Sequence, residues 1–314
     1  MNCFLSVLMP VQNGEKFLAT ALESMKGQME EGMELVYIDN GSTDHSIEIV
    51  RDFANDLPVR VVTPSRIGNW VAATNFGLIE ARGEWACFLH HDDLWLPGRV
   101  ARLRREMELA EGSLVLHNAV FIGPDGRRLG PWTCPLPGGV VPPDQFIEHL
   151  LVQNFIAAPS PMFRRDAAIR SGGLDEELWF SADWDFWLRL GAMGPVRFVD
   201  EILSAFRVHP ASQTAARKLR PGEWEHQLTT AFTRHFAPWV AAEERKRGVE
   251  RAAKASIAVN SLLSATSRGE RTSPLPVLLK LLGLGPLGWR RYLRDSRIVQ
   301  RVWSRLKVQE LARH

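Results

Sequence analysis

The chain has 314 residues, 45% hydrophobic and 24% charged, the balance of a globular protein long enough for one large domain and an appendage. Its three cysteines, Cys3, Cys87 and Cys134, are far apart and form no CxxC pair. That argues against a disulfide framework or structural zinc site and fits a reducing, cytoplasmic setting. The formal net charge of +2 hides an asymmetry: residues 211–314 carry 20 Lys+Arg against 8 Asp+Glu, and the remainder 18 against 28, so two regions with different work are expected.

In chain order, the apolar N-terminal stretch lacks a basic leader and runs into Pro10-Val11-Gln12-Asn13-Gly14. It reads as a first buried strand rather than a signal peptide. Short apolar runs at residues 5–9, 35–38, 59–62, 85–89 and 114–117 predict buried strands, alternating with helical patterns at 16–26, 44–54, 69–81 and 97–110. That alternation predicts an α/β fold, a doubly wound, mostly parallel sheet flanked by helices. In such sheets ligands bind beyond the carboxyl ends of the strands, so the informative residues are those just after each strand. Further along, a strand and turn are expected at 120–127, a loop at 130–143, a strand at 161–165, a helix at 183–192 and a strand at 202–208. From about residue 221 the pattern is helical, with a break near 271–276. No uninterrupted run of 18 apolar residues occurs, which argues against a membrane-spanning helix; the greasiest segment, 274–289, is broken by Lys280, glycines and Pro286.

Three acidic clusters follow strands. Asp39-Asn40-Gly41-Ser42-Thr43-Asp44 has the residues of a turn and helix cap, and also places Asp39 and Asn40 where they can bond a nucleobase edge. His90-His91-Asp92-Asp93, before Pro97, either complements a helix start or binds a metal. Oxygen ligands suit Mg²⁺ or Mn²⁺ bridging a carboxylate to a diphosphate, while the imidazoles leave metal identity open. Asp183-Trp184-Asp185-Phe186-Trp187 either starts a helix with an apolar inner face or supplies a general base in an aromatic-walled acceptor pocket.

Taken in order, these motifs resemble glycosyltransferase family 2, whose members have the GT-A fold. The resemblance spans roughly residues 4–210. It starts at the Pro10-x-x-Asn13-Gly14 turn, passes through Ile38–Ser46, Asn75-Phe76-Gly77, Ala81-Arg82-Gly83-Glu84 and Asp92, and ends with Gly172–Glu176, Asp183–Arg189 and Phe206-Arg207-Val208-His209-Pro210. It implies an inverting, non-processive transfer from a nucleotide sugar, UDP- or dTDP-linked, to an acceptor hydroxyl on a carbohydrate or lipid-linked acceptor, in cell-surface polysaccharide or glycolipid assembly. By position, it implies a catalytic base at Asp183 and nucleotide-sugar contacts at Pro10, Asn13, Asp39, Asn40, Asn75, Asp92 and Arg207. Mn²⁺ or Mg²⁺ would lie at Asp92, His90 and His209, and the acceptor side at Trp184 and Asp185. Departures are Asn40 where a second Asp is frequent, His90 two positions before Asp92 where Asp is usual, and Ala182 where Glu commonly precedes the base.

The expected organisation is a catalytic domain over residues 1–215, with a nucleotide-sugar half at 1–117 and an acceptor half at 118–215, followed by a basic helical region at 216–314. Ile298, Val302 and Leu306 recur four apart against arginines on other faces, an amphipathic helix. It reads either as a cap on the catalytic domain or as peripheral attachment to an anionic membrane surface; no nucleic-acid module is recognisable. A non-catalytic nucleotide-sugar-binding regulator or partner subunit is the alternative, favoured by His90 and disfavoured by the presence of both Asp92 and Asp183. A nucleotidyltransferase would need a Gly-rich basic loop after the first strand. A processive synthase would need a Gln-x-x-Arg-Trp motif and a membrane span. Neither pattern is present.

Overall fold

The computed structural model describes residues 3–210, 212, 220, 222–270 and 272–311. Strand β1 (Leu5–Val11) pairs in parallel with β2 (Met33–Asp39) on one side and β4 (Trp85–Phe88) on the other, and β2 pairs in parallel with β3 (Val59–Val62). Every residue of β1 is buried, as expected of a parallel strand covered on both faces. Alternate side chains point to opposite faces. Leu5, Val7 and Met9 join an apolar cluster with α1 (Glu15–Lys26), α2 (Ser46–Phe53) and α4 (Arg99–Glu108), whereas Leu8 joins another with α3 (Trp70–Glu80). The strands and helices expected up to residue 110 are all present.

Beyond β4 the sheet changes character. It continues through β9 (Met162–Arg164), β6 (Leu114–Ile122), β10 (Val196–Arg207) and β5 (Leu94–Trp95), in the order β3-β2-β1-β4-β9-β6-β10-β5. β9 runs antiparallel to β4 and β6, and β5 antiparallel to β10. The sheet is therefore parallel over its first four strands and mixed thereafter. Residues 130–143, expected as loop, contain the end of β7 (Arg128–Trp132), paired with β6, and all of β8 (Gly139–Val141), paired with β10. Each adds to one neighbour only, and such edge strands tolerate the Pro131 and glycines that made the segment look irregular. Helices α5 (Pro143–Leu150) and α6 (Arg165–Arg170) flank β9, and α7 (Ala182–Ala192) sends Phe186 and Trp187 against Phe88 and Phe163 of the sheet.

The basic region forms α8 (Glu223–Phe236), α9 (Glu243–Ser267), α10 (Leu275–Leu282), α11 (Gly285–Ser296) and α12 (Ile298–Leu311). It shares a core with the preceding residues: Trp224, Phe232, Val249, Ala252 and Tyr292 lie in the same buried cluster as Phe146, Phe155, Trp184 and Trp187. Much of its positive charge is committed to this packing. Glu148 on α5 binds Arg245 and Arg291. The fully buried Asp295 binds His149 at 2.8 Å and Arg294 at 2.6 Å. On α12, Gln300 bonds Thr133, and Lys307 donates to the Leu129 carbonyl at 2.9 Å, while Arg297 just before it donates to the Cys134 carbonyl at 3.0 Å. The region is thus folded onto residues 118–215 as a cap. Of the apolar stripe expected on its last helix, Ile298 packs against the core, and the Leu306 side chain lies outside the described residues. Among the described residues no helix is long and apolar enough to cross a membrane.

Candidate active site

The carboxyl ends of β1, β2 and β4 form one rim. Asp39 ends β2 opposite Val11 of β1, and the His90–Asp93 turn follows β4, so β1 alone separates the two motifs, about 10 Å across two strand spacings. Asp39 Oδ1 accepts the Ser42 N–H at 3.1 Å, shaping the turn. Asp44 serves two helices, accepting the Ser46 N–H at the start of α2 and the Glu15 N–H at the start of α1. Asn13, at φ 57°, accepts the Thr43 N–H at 2.8 Å and joins the β1 and β2 loops. Pro10 is buried within β1. Gly14 has a steric duty: a Cβ there would stand 2.8 Å from Val11 Cγ1 and 2.9 Å from His91 Cγ. Only a residue without a side chain lets this turn close on the His91 loop.

The metal motif is tied to the end of β10. Because β5 pairs with β10 at Leu94 and Trp95, Arg207 arrives beside Asp92 and Asp93. Its N–H donates to Asp93 Oδ1 at 3.0 Å and its Nε to the Asp92 carbonyl at 2.8 Å; Nη1 donates to the carbonyls of Gly123 and Pro124. Its guanidinium lies over Phe17, 4.6 Å from the ring centre. His209 places Nε2 3.0 Å from Asp92 Oδ2. Burial pushes the Asp92 carboxyl up, but the bond to His209 and the nearby His91 and His90 outweigh it and hold the group at about 2. Asp93 is driven the other way, to about 6, by burial and by the Asp92 charge. Burial works against protonation of His90, yet Asp93, Asp92 and Asp183 together raise its pKa; burial lowers the pKa of His91, whose Nδ1 is unpartnered.

Asp183 lies in the first turn of α7. Its Oδ1 accepts the Trp184 N–H at 2.8 Å and its Oδ2 accepts Asn154 Nδ2 at 2.9 Å. Burial still dominates and lifts its pKa to about 6. Asp183 and His90 lie close enough for each to shift the other's protonation, so Asp183 is near the His90–Asp93 turn. Trp70, which opens α3, edges onto the His90 ring at 5.7 Å. Asn154 was not legible in the sequence; it sits in an apolar stretch without any motif. Its amide is held in one orientation because Oδ1 accepts the Ile156 N–H at 3.1 Å, leaving Nδ2 to face Asp183. Next to it, buried Gln153 accepts Ser256 Oγ and Asn260 Nδ2 of α9 through Oε1, both at 2.7 Å.

Several expected ligand contacts are committed to the scaffold. Both ends of the Asn40 amide bond the Gly68 backbone, at 2.8 and 3.2 Å. The Asn75 amide does the same for Leu174, at 2.8 Å each way. On the expected acceptor side, Trp184 is buried and donates Nε1 to the Leu150 carbonyl. Asp185 is fully buried among Arg189, Arg234 and His235 at 2.9–3.0 Å; these contacts outweigh burial and hold it at about 2. Its partners bind α8 to α7, so it is removed from the cleft.

Asp92 Oδ2 and His209 Nε2, 3.0 Å apart in a hydrogen bond, are donors of kinds that bind Mg²⁺ or Mn²⁺ and could each offer one ligand once the shared proton is given up. His90, expected as a third ligand, points Nδ1 toward Asp93 at 3.8 Å instead. Among the described residues no group of three or more His, Cys, Asp or Glu could hold an ion by itself. The remaining ligands would come from water and substrate phosphate, as is usual for Mg²⁺.

A Rossmann-like parallel half, a mixed half and acidic residues gathered at the strand ends define a nucleotide-dependent transferase architecture. Residues 6–166 match the model of the family described as glycosyl transferase family 2, and the chain belongs to that family. It is similar to an uncharacterized glycosyltransferase of Rickettsia typhi, 24% identical over 67% of this chain and 65% of that one, so it spans slightly less than two thirds of that relative's length. Among solved structures, residues 1–349 of S. aureus TarS in complex with UDP-GlcNAc are 18% identical, with a TM-score of 0.65 over 93% of this chain and 79% of that one. A mannosyltransferase from Pyrobaculum calidifontis, in complex with GDP-Man and Mn²⁺, is 16% identical with a TM-score of 0.55 over 98% and 88%. The fold is the GT-A fold.

Proposed function

We propose that the protein is a metal-dependent, inverting glycosyltransferase that moves a sugar from a nucleoside diphosphate to a hydroxyl of a carbohydrate or lipid-linked acceptor in cell-surface polysaccharide or glycolipid assembly. The observation that carries this reading is Asp183: a carboxylate held by two hydrogen bonds, with a pKa of about 6, near enough to His90 of the His90–Asp93 turn for the two to shift each other's protonation. A base with a pKa just below neutral is ionised at pH 7 and still strong enough to take a proton.

In the reaction, Asp183 removes the acceptor proton while that oxygen bonds to the anomeric carbon and the bond from carbon to diphosphate oxygen breaks on the opposite face. Asp39, at the rim, accepts a hydrogen bond from the base, which suits the N3–H of uracil or thymine. The UDP-GlcNAc in the TarS complex supports a UDP donor. Asn13 and Asn40 shape the loops beneath the nucleotide, and Arg207 fixes the Asp92 backbone. A divalent cation held by Asp92 and His209 would neutralise the charge that develops on the leaving diphosphate.

The test is binding and turnover together. A thermal-shift series of UDP, dTDP and GDP, each with Mn²⁺, Mg²⁺ or chelator, ranks the nucleotides, because stabilisation grows with ligand concentration over Kd. Metal-dependent stabilisation by UDP or dTDP, lost in Asp92→Asn, is the expected result. Nucleotide binding that survives chelation unchanged would remove the metal from the proposal. Nucleotide-sugar binding without hydrolysis or transfer to any acceptor would favour a regulatory subunit.

A further inference from the structure

Helix α10 presents an apolar stripe to solvent. Leu275, Leu278, Leu279 and Leu282 recur at i, i+3, i+4 and i+7 and are 51–75% exposed. Its inward contact with the core is made by Val277 and Leu281. The stripe is the one that normally turns a surface helix toward the core, and here it faces away from it. Leu287 on α11, just past the turn between the two helices, is also 80% exposed. Scattered exposed leucines need no explanation, whereas a contiguous patch marks an interaction surface.

The charge around the patch is of one sign. Residues 271–294 contain five Lys or Arg and no Asp or Glu. Some of this charge is internal: Arg291 goes to Glu148 and Arg294 to Asp295. Lys280 and Arg290, however, are exposed and pair with no carboxylate among the described residues. Lys280 lies about 100° or more around the helix from every leucine of the stripe, whereas Arg290 stands one turn past the exposed Leu287 on α11. Exposed leucines with an uncompensated cation match a surface with an anionic outer layer and an apolar interior, and a symmetric contact with a second copy would bring Arg290 toward its own copy.

We propose that the outward leucine stripe of α10, with exposed Leu287 and Arg290 on α11, is a docking surface for an anionic phospholipid bilayer. The leucines enter the boundary between headgroups and acyl chains, and Arg290 engages lipid phosphates. The attachment is interfacial. Arg297 and Lys307, before and on α12, are by contrast bonded to backbone carbonyls of the domain.

The experiment is flotation of the full chain with vesicles of phosphatidylcholine alone or with 30 mol% phosphatidylglycerol. Binding to lipid requires no substrate, so its outcome is separate from that of the transferase proposal. Wild type should float with the anionic vesicles and release as salt rises. Leu278→Glu and Leu282→Glu should each weaken binding at least tenfold without lowering Tm, because both side chains already face solvent. Arg290→Gln should weaken it roughly fivefold and leave the salt dependence shallower. No flotation on anionic vesicles overturns the proposal, as does flotation unchanged by the leucine substitutions. Concentration-dependent dimers that disappear in Leu278→Glu would assign the face to a second copy instead.

Discussion

Replacing Asp183 with Asn separates catalysis from stability at one position. In the folded protein the carboxyl moves from an ordinary 3.8 to about 6, chiefly through burial. That displacement corresponds to about 3 kcal/mol by which the fold disfavours the charged group. Because the folded-state value lies above the unfolded one, the cost is absent below about pH 4. It grows between about pH 4 and 6 and is complete at pH 7. Asp183→Asn removes the charge but keeps only one acceptor oxygen for two donors, Trp184 N–H and Asn154 Nδ2. Asn154 cannot turn its amide without giving up Ile156, so the variant loses a bond worth about 1 kcal/mol. The expected net gain is about 2 kcal/mol at pH 7 and none at pH 4, with kcat falling about 10²–10⁴-fold. Thermal melts at the two pH values and single-turnover transfer are the measurements. A folded variant with wild-type transfer would falsify the base assignment, and an equal change in Tm at both pH values would refute the buried-charge argument.

Other outcomes follow from the same contacts. Asn154→Ala removes a donor that favours the Asp183 anion, and Asn154→Asp sets a like charge against it. Both should raise the base's pKa and move the acid limb of the kcat/KM profile upward, more so for Asp, with donor KM unchanged. Asp185→Ala leaves Arg189, Arg234 and His235 without their shared partner and should cost about 3–5 kcal/mol in chemical denaturation, while acceptor KM of the folded fraction stays the same. Gly14→Ala drives a methyl into Val11 and the His91 ring; about 1–3 kcal/mol of destabilisation and weaker metal-dependent nucleotide binding are expected in a thermal-shift series.

The parallel half of the fold was readable because its strands are continuous apolar runs and its helices have a clear period. Edge strands of two or three residues, such as β5 and β8, are too short to show a pattern. The mixed order around β9 depends on pairing that no local signal encodes. At the site, carboxylates after strands pointed to the rim because α/β sheets bind ligands there. The amides misled: Asn40 and Asn75 resemble ligand contacts in sequence but satisfy the backbone of Gly68 and Leu174. Asp185 did carry a clue, since Arg189 stands at i+4, the spacing of an intrahelical ion pair. Asn154 carried none, because its partner lies 29 residues away.

Gln153 ties the basic region to the segment beside Asp183. Its carbonyl oxygen is gripped by two residues of α9 while the next residue along the backbone donates to Asp183. A chain cut back to the strands and helices that precede residue 216 would keep both Asn154 and Asp183. It would nonetheless lose the bracket behind them, so the hold on that carboxylate is expected to loosen in a unit no larger than the segment that bears the family's signature.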